Sequence, residues 1–92
     1  MRLFRIRCSE LARAICRDVD RISDSQHFRW VPLEKIEDHL GIEPETSLGA
    51  ARYGVLKNWL RLEERPVPKV MLRLAGRKEI ADQQRRQIEG DS

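Results

Sequence analysis

The chain has 92 residues, enough for one small domain but too few for a cofactor domain beside a substrate domain. Hydrophobic residues make up 40% and charged residues 36%, which supports a modest core under a charged surface and argues against wholesale disorder. The net charge is +3, and no apolar run approaches the ~20 residues of a transmembrane helix. Residues 1–8 alternate arginine with apolar side chains and lack the apolar segment of a signal peptide, so we expect a cytoplasmic protein without membrane contact.

Two cysteines, Cys8 and Cys16, are too few for a disulfide framework. They lie on one predicted helix, where eight residues correspond to roughly 12 Å along the axis, too far for a disulfide. We therefore expect both thiols to be reduced and to pack as small hydrophobic side chains.

The first half of the chain predicts two helices separated by a short strand. Over residues 9–22 apolar side chains recur every three or four positions, which predicts an amphipathic helix with Ser9 as its N-cap. Residues 27–31 are aromatic and β-branched and predict a short strand. Proline is tolerated in the first turn of a helix, so the second helix is expected over 32–40, ended by Gly41.

The second half predicts a longer helix, a β-hairpin and a final helix. Residues 43–47 are polar and predict a turn, and the apolar spacing that follows predicts a helix over 47–62. A hairpin over 60–74 is expected because apolar residues alternate on both sides of a turn rich in proline and charge. Gly76 is expected to break the hairpin before a helix over 77–89. The side chains expected to face inward are Leu48, Ala51, Val55 and Trp59 on the longer helix, and Val70, Leu72 and Leu74 on the second strand.

Positive charge is concentrated in the later part of the chain. Residues 49–80 carry eight lysines and arginines against three glutamates, whereas residues 25–48 carry five carboxylates against two cations. A cationic segment of this kind is expected where a protein faces a polyanion. An ordinary solvated charged face is the alternative.

This order of elements resembles that of a winged helix-turn-helix domain. Residues 31–42 (VPLEKIEDHLGI) are similar to the first helix of that family's helix-turn-helix element, which ends in leucine, glycine and a hydrophobic residue. Residues 72–80 (LRLAGRKEI) resemble its strand-to-helix segment, although the usual threonine before Gly-Arg is absent. The resemblance implies one α+β, mainly α domain over 1–92, with a three-helix core, a short strand and a hairpin wing within 8–76 and a C-terminal helix over 77–89.

The resemblance also implies a DNA-binding transcriptional regulator, with the helix over 47–62 in the major groove and the wing over 60–74 on the backbone. The DNA-binding positions that it implies are Ser47, Ala50, Arg52, Tyr53 and Lys57 on the helix, Arg65 and Lys69 at the wing, and Arg61 and Arg73 within reach of phosphates. Glu43 and Glu45 oppose this function, because carboxylates near the phosphate backbone weaken binding. The first and last helices suggest a homodimer, with an intramolecular cover of the hairpin as the alternative.

A protein-interaction module of the same fold, or an adaptor that needs a partner, is the alternative function. Met71, Tyr53 and Val67 are expected to be exposed and would suit a protein interface. An enzyme is not expected, because neither His27 nor His39 lies at a metal-ligand spacing from a cysteine and no nucleophile or phosphate-binding motif occurs. No catalytic residue, metal, cofactor or small-molecule ligand is therefore predicted.

Overall fold

The computed structural model describes residues 8–24, 26 and 29–91, which form four helices and three strands. The elements in chain order are α1 (Cys8–Ile22), β1 (Val31–Pro32), α2 (Leu33–Leu40), α3 (Pro44–Leu56), β2 (Leu60–Glu63), β3 (Lys69–Leu72) and α4 (Leu74–Asp91). The domain is α+β and mainly helical, as the sequence predicts. In the part of the chain that the structure describes, no helix is both long and apolar enough to cross a membrane.

The core forms between α1, α3 and one face of the sheet. The apolar stripe of α1 is confirmed, and Leu11, Ile15 and Val19 are buried at the spacing that the sequence predicts. Cys16 is also fully buried, whereas Cys8 is exposed and does not pack as expected. The other buried apolar side chains of the core cluster are Ala12, Val31, Leu33, Ile36, Ala50, Ala51, Trp59, Leu60, Val70, Leu72 and Ile80.

The three strands form one antiparallel sheet in the order β1-β3-β2. Leu60 pairs with Leu72 and Arg61 pairs with Met71, so side chains alternate between an inner face against the helices and an outer face. Met71 belongs to the outer face, yet it is only 6% exposed, so the expectation that it is exposed is wrong. Lys69 also lies on the outer face, and its ammonium is 5.5 Å from the centroid of the half-buried Trp30 ring.

The predicted strand over 27–31 is confirmed only at its end. Val31 and Pro32 form β1 and pair with Val70 and Lys69, so Pro32 belongs to the strand rather than to the second helix. Because β1 is an edge strand, a proline without an N–H group is tolerated there. Residues 27 and 28 lie outside the described residues.

A three-residue turn joins α2 to α3. Gly41 ends α2 in the left-handed conformation with φ +67°, and its N–H donates to the Glu37 carbonyl oxygen over 2.8 Å, as expected of a C-terminal cap. The next helix begins at Pro44, three residues before the predicted start. Proline is favoured at this position because its φ is already helical and the helix needs no N–H there.

The third helix also ends earlier than predicted, at Leu56 rather than at residue 62. Asn58 takes a left-handed φ of +64°, and the Trp59 N–H donates to the Gly54 carbonyl oxygen over 2.8 Å, which turns the chain into β2. Trp59 is buried as predicted, but it lies in this turn and not on the helix.

The start of α4 differs from the prediction as well. Leu74 is the first residue of the helix and is 68% exposed, so it is not a third inward residue of the strand. Gly76 lies inside α4 and does not break the hairpin. A Cβ atom at Gly76 would contact the Trp59 carbonyl oxygen and would lie 2.7 Å from Leu72 Cδ1, so close packing explains the glycine.

Candidate nucleic-acid interface

A cleft of about 530 Å³ opens where the hairpin meets the first turn of α4. We call it the cationic cleft; its lining includes Asn58, Arg61, Met71, Arg73 and Leu74. Arg61 reaches it from the outer face of β2. Arg73 directly follows β3, and its backbone N–H donates to the Trp59 carbonyl oxygen over 2.8 Å. Arg61 and Arg73 are thus brought together by strand pairing, although they are twelve positions apart in sequence.

The electrostatics of the cationic cleft favour an anion. Among the described residues, no carboxylate lines the cleft, and neither Arg61 nor Arg73 forms an ion pair. The positive end of the α4 dipole lies beside them. Guanidinium groups bind phosphate oxygens through paired hydrogen bonds, so the cleft has the chemistry of a phosphate site.

Two of the predicted DNA-binding cations are engaged by glutamates instead. Arg52 lies on the exposed side of α3, and its guanidinium is 3.0 Å from the Glu64 carboxylate. The Lys69 ammonium is 3.4 Å from the Glu63 carboxylate. Both pairs are partly exposed and therefore weak, yet each places a negative charge beside its cation and lowers the local attraction for a polyanion.

Ser47 and Ala50 are buried, so the expectation that they face the DNA groove is wrong. The inward face of α3 consists of Ser47, Ala50, Ala51 and Gly54. Of the α3 residues that the spacing predicts to face inward, Ala51 is buried and Leu48 packs half-buried against the core, whereas Val55 is exposed. The Ser47 hydroxyl donates to the Glu37 carboxylate and lies 2.9 Å from the Pro44 carbonyl oxygen. Ser47 therefore joins α2 to α3.

Tyr53 is half-buried and contacts the Trp59 ring and the Lys57 ammonium. Its ring lies edge-to-face with Trp59, with 6.0 Å between centroids. The Lys57 ammonium is 5.8 Å from the Tyr53 centroid, and the Arg13 guanidinium is 5.4 Å from that of Trp59. Tyr53 thus supports the core, whereas Lys57 stays exposed at the end of α3.

The predicted DNA-binding residues do not share one surface. Arg61 and Arg73 lie at the open end of the hairpin, whereas Arg65 lies in the turn at its closed end. Arg65 lies four positions after Arg61 and beyond the end of β2 at Glu63. Arg65 and the half-exposed Val67 are both accessible at this turn, as expected.

A second concave surface, the acidic groove, lies at the closed end of the hairpin. Its volume is about 480 Å³, and it lies between α2, the start of α3 and the hairpin turn. Three carboxylates and an apolar floor line it, and no lysine or arginine of the described residues does. Its lining residues are Leu33, Glu34, Glu37, Asp38, Ile42, Pro44, Val67 and Pro68. The excess of carboxylates in residues 25–48 is visible in the sequence. Their position opposite the hairpin turn is not predictable from the sequence.

The structure also reveals polar contacts of α1 that the sequence pattern misses. His39 Nδ1 lies 2.8 Å from Oδ1 of the buried Asp18, so this histidine joins α2 to α1. Ion pairs of 2.8 Å, Arg13 with Glu79 and Asp20 with Arg77, join α1 to α4. The last helix therefore covers α1 within one molecule, and the homodimer through these helices stays a prediction.

The buried thiol of Cys16 has an altered acidity. Burial raises its pKa from 9.0 to about 12, and Arg17 opposes the rise only in part. The thiol is therefore neutral and poorly nucleophilic at neutral pH. Within the ranges that the structure describes, no group of three or more histidines, cysteines and carboxylates is placed to hold a metal ion.

No protein-family model, curated protein or solved structure matches the chain. The function proposed below therefore rests on the chain's own residues.

Proposed function

We propose that the chain is a winged helix-turn-helix domain that binds duplex DNA mainly through phosphate contacts and acts as a transcriptional regulator. Support for the fold comes from the element order and from the strand order β1-β3-β2. The three-residue turn between α2 and α3 and the hairpin that follows α3 are also those expected of this family.

The observation that carries the proposal is the cationic cleft. Arg61 and Arg73 face the same cavity without a carboxylate among its described lining residues. Lys57 adds an exposed charge one residue before Asn58 of the cleft. Phosphate contacts supply most of the affinity of non-specific DNA binding, so these three cations supply the contacts of a weak, salt-sensitive complex.

The first turns of α3 do not favour sequence-specific recognition. Glu43 and Glu45 are exposed at its start, and Arg52, the one cation within α3, is paired with Glu64. Because base-specific recognition needs donors and acceptors that reach base edges, we expect little discrimination between DNA sequences.

A protein-interaction module remains the second candidate function, because the end of α3 exposes apolar side chains. Leu56 is 83% exposed and lies next to the partly exposed Val55. Two adjacent exposed apolar side chains suit a protein partner better than a phosphate backbone.

Salt dependence distinguishes the two candidates. The test uses fluorescence anisotropy with a labelled mixed-sequence duplex, and compares wild type with an R61A/R73A variant between about 50 and 200 mM salt. Loss of two phosphate contacts reduces the slope of log affinity against log salt by about 1.8, so the wild type loses roughly twelvefold more affinity over this range than the variant.

The matched control is K35A/R85A, which removes two exposed cations on α2 and α4, away from the cationic cleft. This variant has the same net charge as R61A/R73A, so its affinity and salt slope are expected to stay close to those of the wild type. An equal loss in both variants would contradict the assignment to the cleft. No binding by the wild type at the lowest salt would refute DNA binding altogether.

A further inference from the structure

The cationic cleft and the acidic groove have opposite charge and lie at opposite ends of the hairpin. The cleft is lined by Arg61 near the start of β2 and by Leu72 at the end of β3, whereas the groove includes Val67 and Pro68 of the turn between the strands. Each strand has four residues, which corresponds to roughly 13 Å. One molecule therefore cannot place its own cleft in its own groove, and any contact between the two surfaces requires a second molecule.

The two surfaces also match in their apolar parts. Leu74 is 68% exposed at the edge of the cleft and directly follows Arg73. The groove has an apolar floor that includes Leu33 and Ile42, with Glu34 and Asp38 exposed at its rim. An exposed leucine beside two arginines is the kind of surface that an apolar groove with a carboxylate rim accepts, because burial of the leucine adds to the charge attraction.

We propose that the acidic groove of one molecule binds the cationic cleft of a second copy of the same chain. In this contact Leu74 enters the groove, and Arg61 and Arg73 face Glu34 and Asp38. The occupant is a second copy because both complementary surfaces belong to this chain. The proposal goes beyond DNA binding and does not depend on it.

This contact differs from the homodimer expected through the first and last helices. It joins two different surfaces, so it is head-to-tail, and each added molecule leaves one free cleft and one free groove. Association therefore continues past a dimer as protein concentration rises. Because its charges are solvent-exposed at the rim, we expect it to weaken with added salt.

The test is sedimentation velocity of the full chain, without DNA, at low salt and rising protein concentration. Two variants each disable one surface: R61A/R73A the cleft and D38R the groove. All three substituted residues are exposed, and circular dichroism establishes that the variants are folded. Wild type is expected to form species larger than a dimer, whereas each variant alone loses every species above the monomer.

An equimolar mixture of R61A/R73A and D38R is the decisive measurement. R61A/R73A keeps the groove and D38R keeps the cleft, so together they are expected to form a 1:1 heterodimer. The heterodimer does not grow further, because the neutralised cleft and the groove with its charge reversed at Asp38, which stay free, do not attract each other. The control K35E reverses an exposed charge on α2 that does not line the groove, and is expected to assemble like the wild type. Monomeric wild type at high micromolar concentration, unchanged assembly of either variant, or absence of the heterodimer would overturn the proposal. Loss of DNA binding alone would not affect it.

Discussion

Substitution of Gly76 by alanine tests the close packing of α4 against the turn that contains Trp59. Alanine is normally favoured over glycine inside a helix by about 1 kcal/mol. At a helical position where the added Cβ meets no other atom, this substitution therefore stabilises the folded protein. At Gly76 the added methyl would contact the Trp59 carbonyl oxygen and would lie 2.7 Å from Leu72 Cδ1. The leucine methyl can rotate away, but the carbonyl oxygen is part of the backbone and can move only with the turn.

The expected loss of stability depends on which atoms must move to admit the added methyl group. The Trp59 carbonyl oxygen accepts the hydrogen bond from the Arg73 N–H over 2.8 Å, so displacing α4 stretches that bond. Overpacking costs about 1–3 kcal/mol and a weakened backbone hydrogen bond about 1 kcal/mol, which exceeds the helical gain. We expect Gly76→Ala to lower the free energy of unfolding by about 1–3 kcal/mol. The midpoint of thermal unfolding should fall by about 4–8 °C per kcal/mol in a domain of this size.

Gly49→Ala is the matched control, because a Cβ at Gly49 meets nothing within 4 Å and Gly49 lies on the exposed side of α3. This variant should be more stable than the wild type by about 1 kcal/mol, the opposite sign from Gly76→Ala. Urea unfolding followed by tryptophan fluorescence measures both changes. Equal stabilisation by the two substitutions would refute the packing explanation for Gly76.

Two further predictions concern acidity and charge. The Cys16 thiol ionises with a pKa of 9.0 when unfolded and about 12 when folded, so the free energy of unfolding should fall between pH 9 and 12, by at most about 1.4 kcal/mol per pH unit. Cys16→Ala removes this contribution, and identical pH profiles of variant and wild type would contradict it. Glu64→Gln releases Arg52 from its ion pair and should raise DNA affinity and steepen the salt slope by about 0.9, as measured by anisotropy. The gain should disappear in R52A/E64Q; persistence there would mean that Arg52 is not the group released.

The fold class was predictable because local patterns carry it. The periodic apolar stripe of α1 and the Gly41 cap are properties of neighbouring residues, and both agree with the structure. The end of α3 was not predictable in this way, because Leu60 and Leu62 fit a helical spacing as well as an alternating strand. Tertiary packing decided between them, through the left-handed turn at Asn58 and the pairing of Leu60 with Leu72.

The candidate site was predictable only in part, because its geometry depends on residues far apart in sequence. Charge alone indicates both Arg61 and Arg73, but their meeting in one cleft depends on the hairpin register. Ser47 and Ala50 were misplaced because small residues fit either face of a helix, and only the close approach of α3 to the core distinguishes the faces. The pairing of Arg52 with Glu64 likewise spans twelve residues.

The distribution of charge over the fold bears on both proposals. In the proposed DNA complex, Glu43 and Glu45 would weaken binding near the start of α3, and they lie at the same end of the molecule as the acidic groove. Both proposals assign their contacts to Arg61 and Arg73, so one cleft would not bind a phosphate and the groove of a second copy at once. DNA would therefore compete with head-to-tail assembly for the same two guanidinium groups, and this coupling requires no change of conformation. In an assembly only the terminal molecule keeps a free cleft, so DNA affinity per chain would fall as the protein assembles.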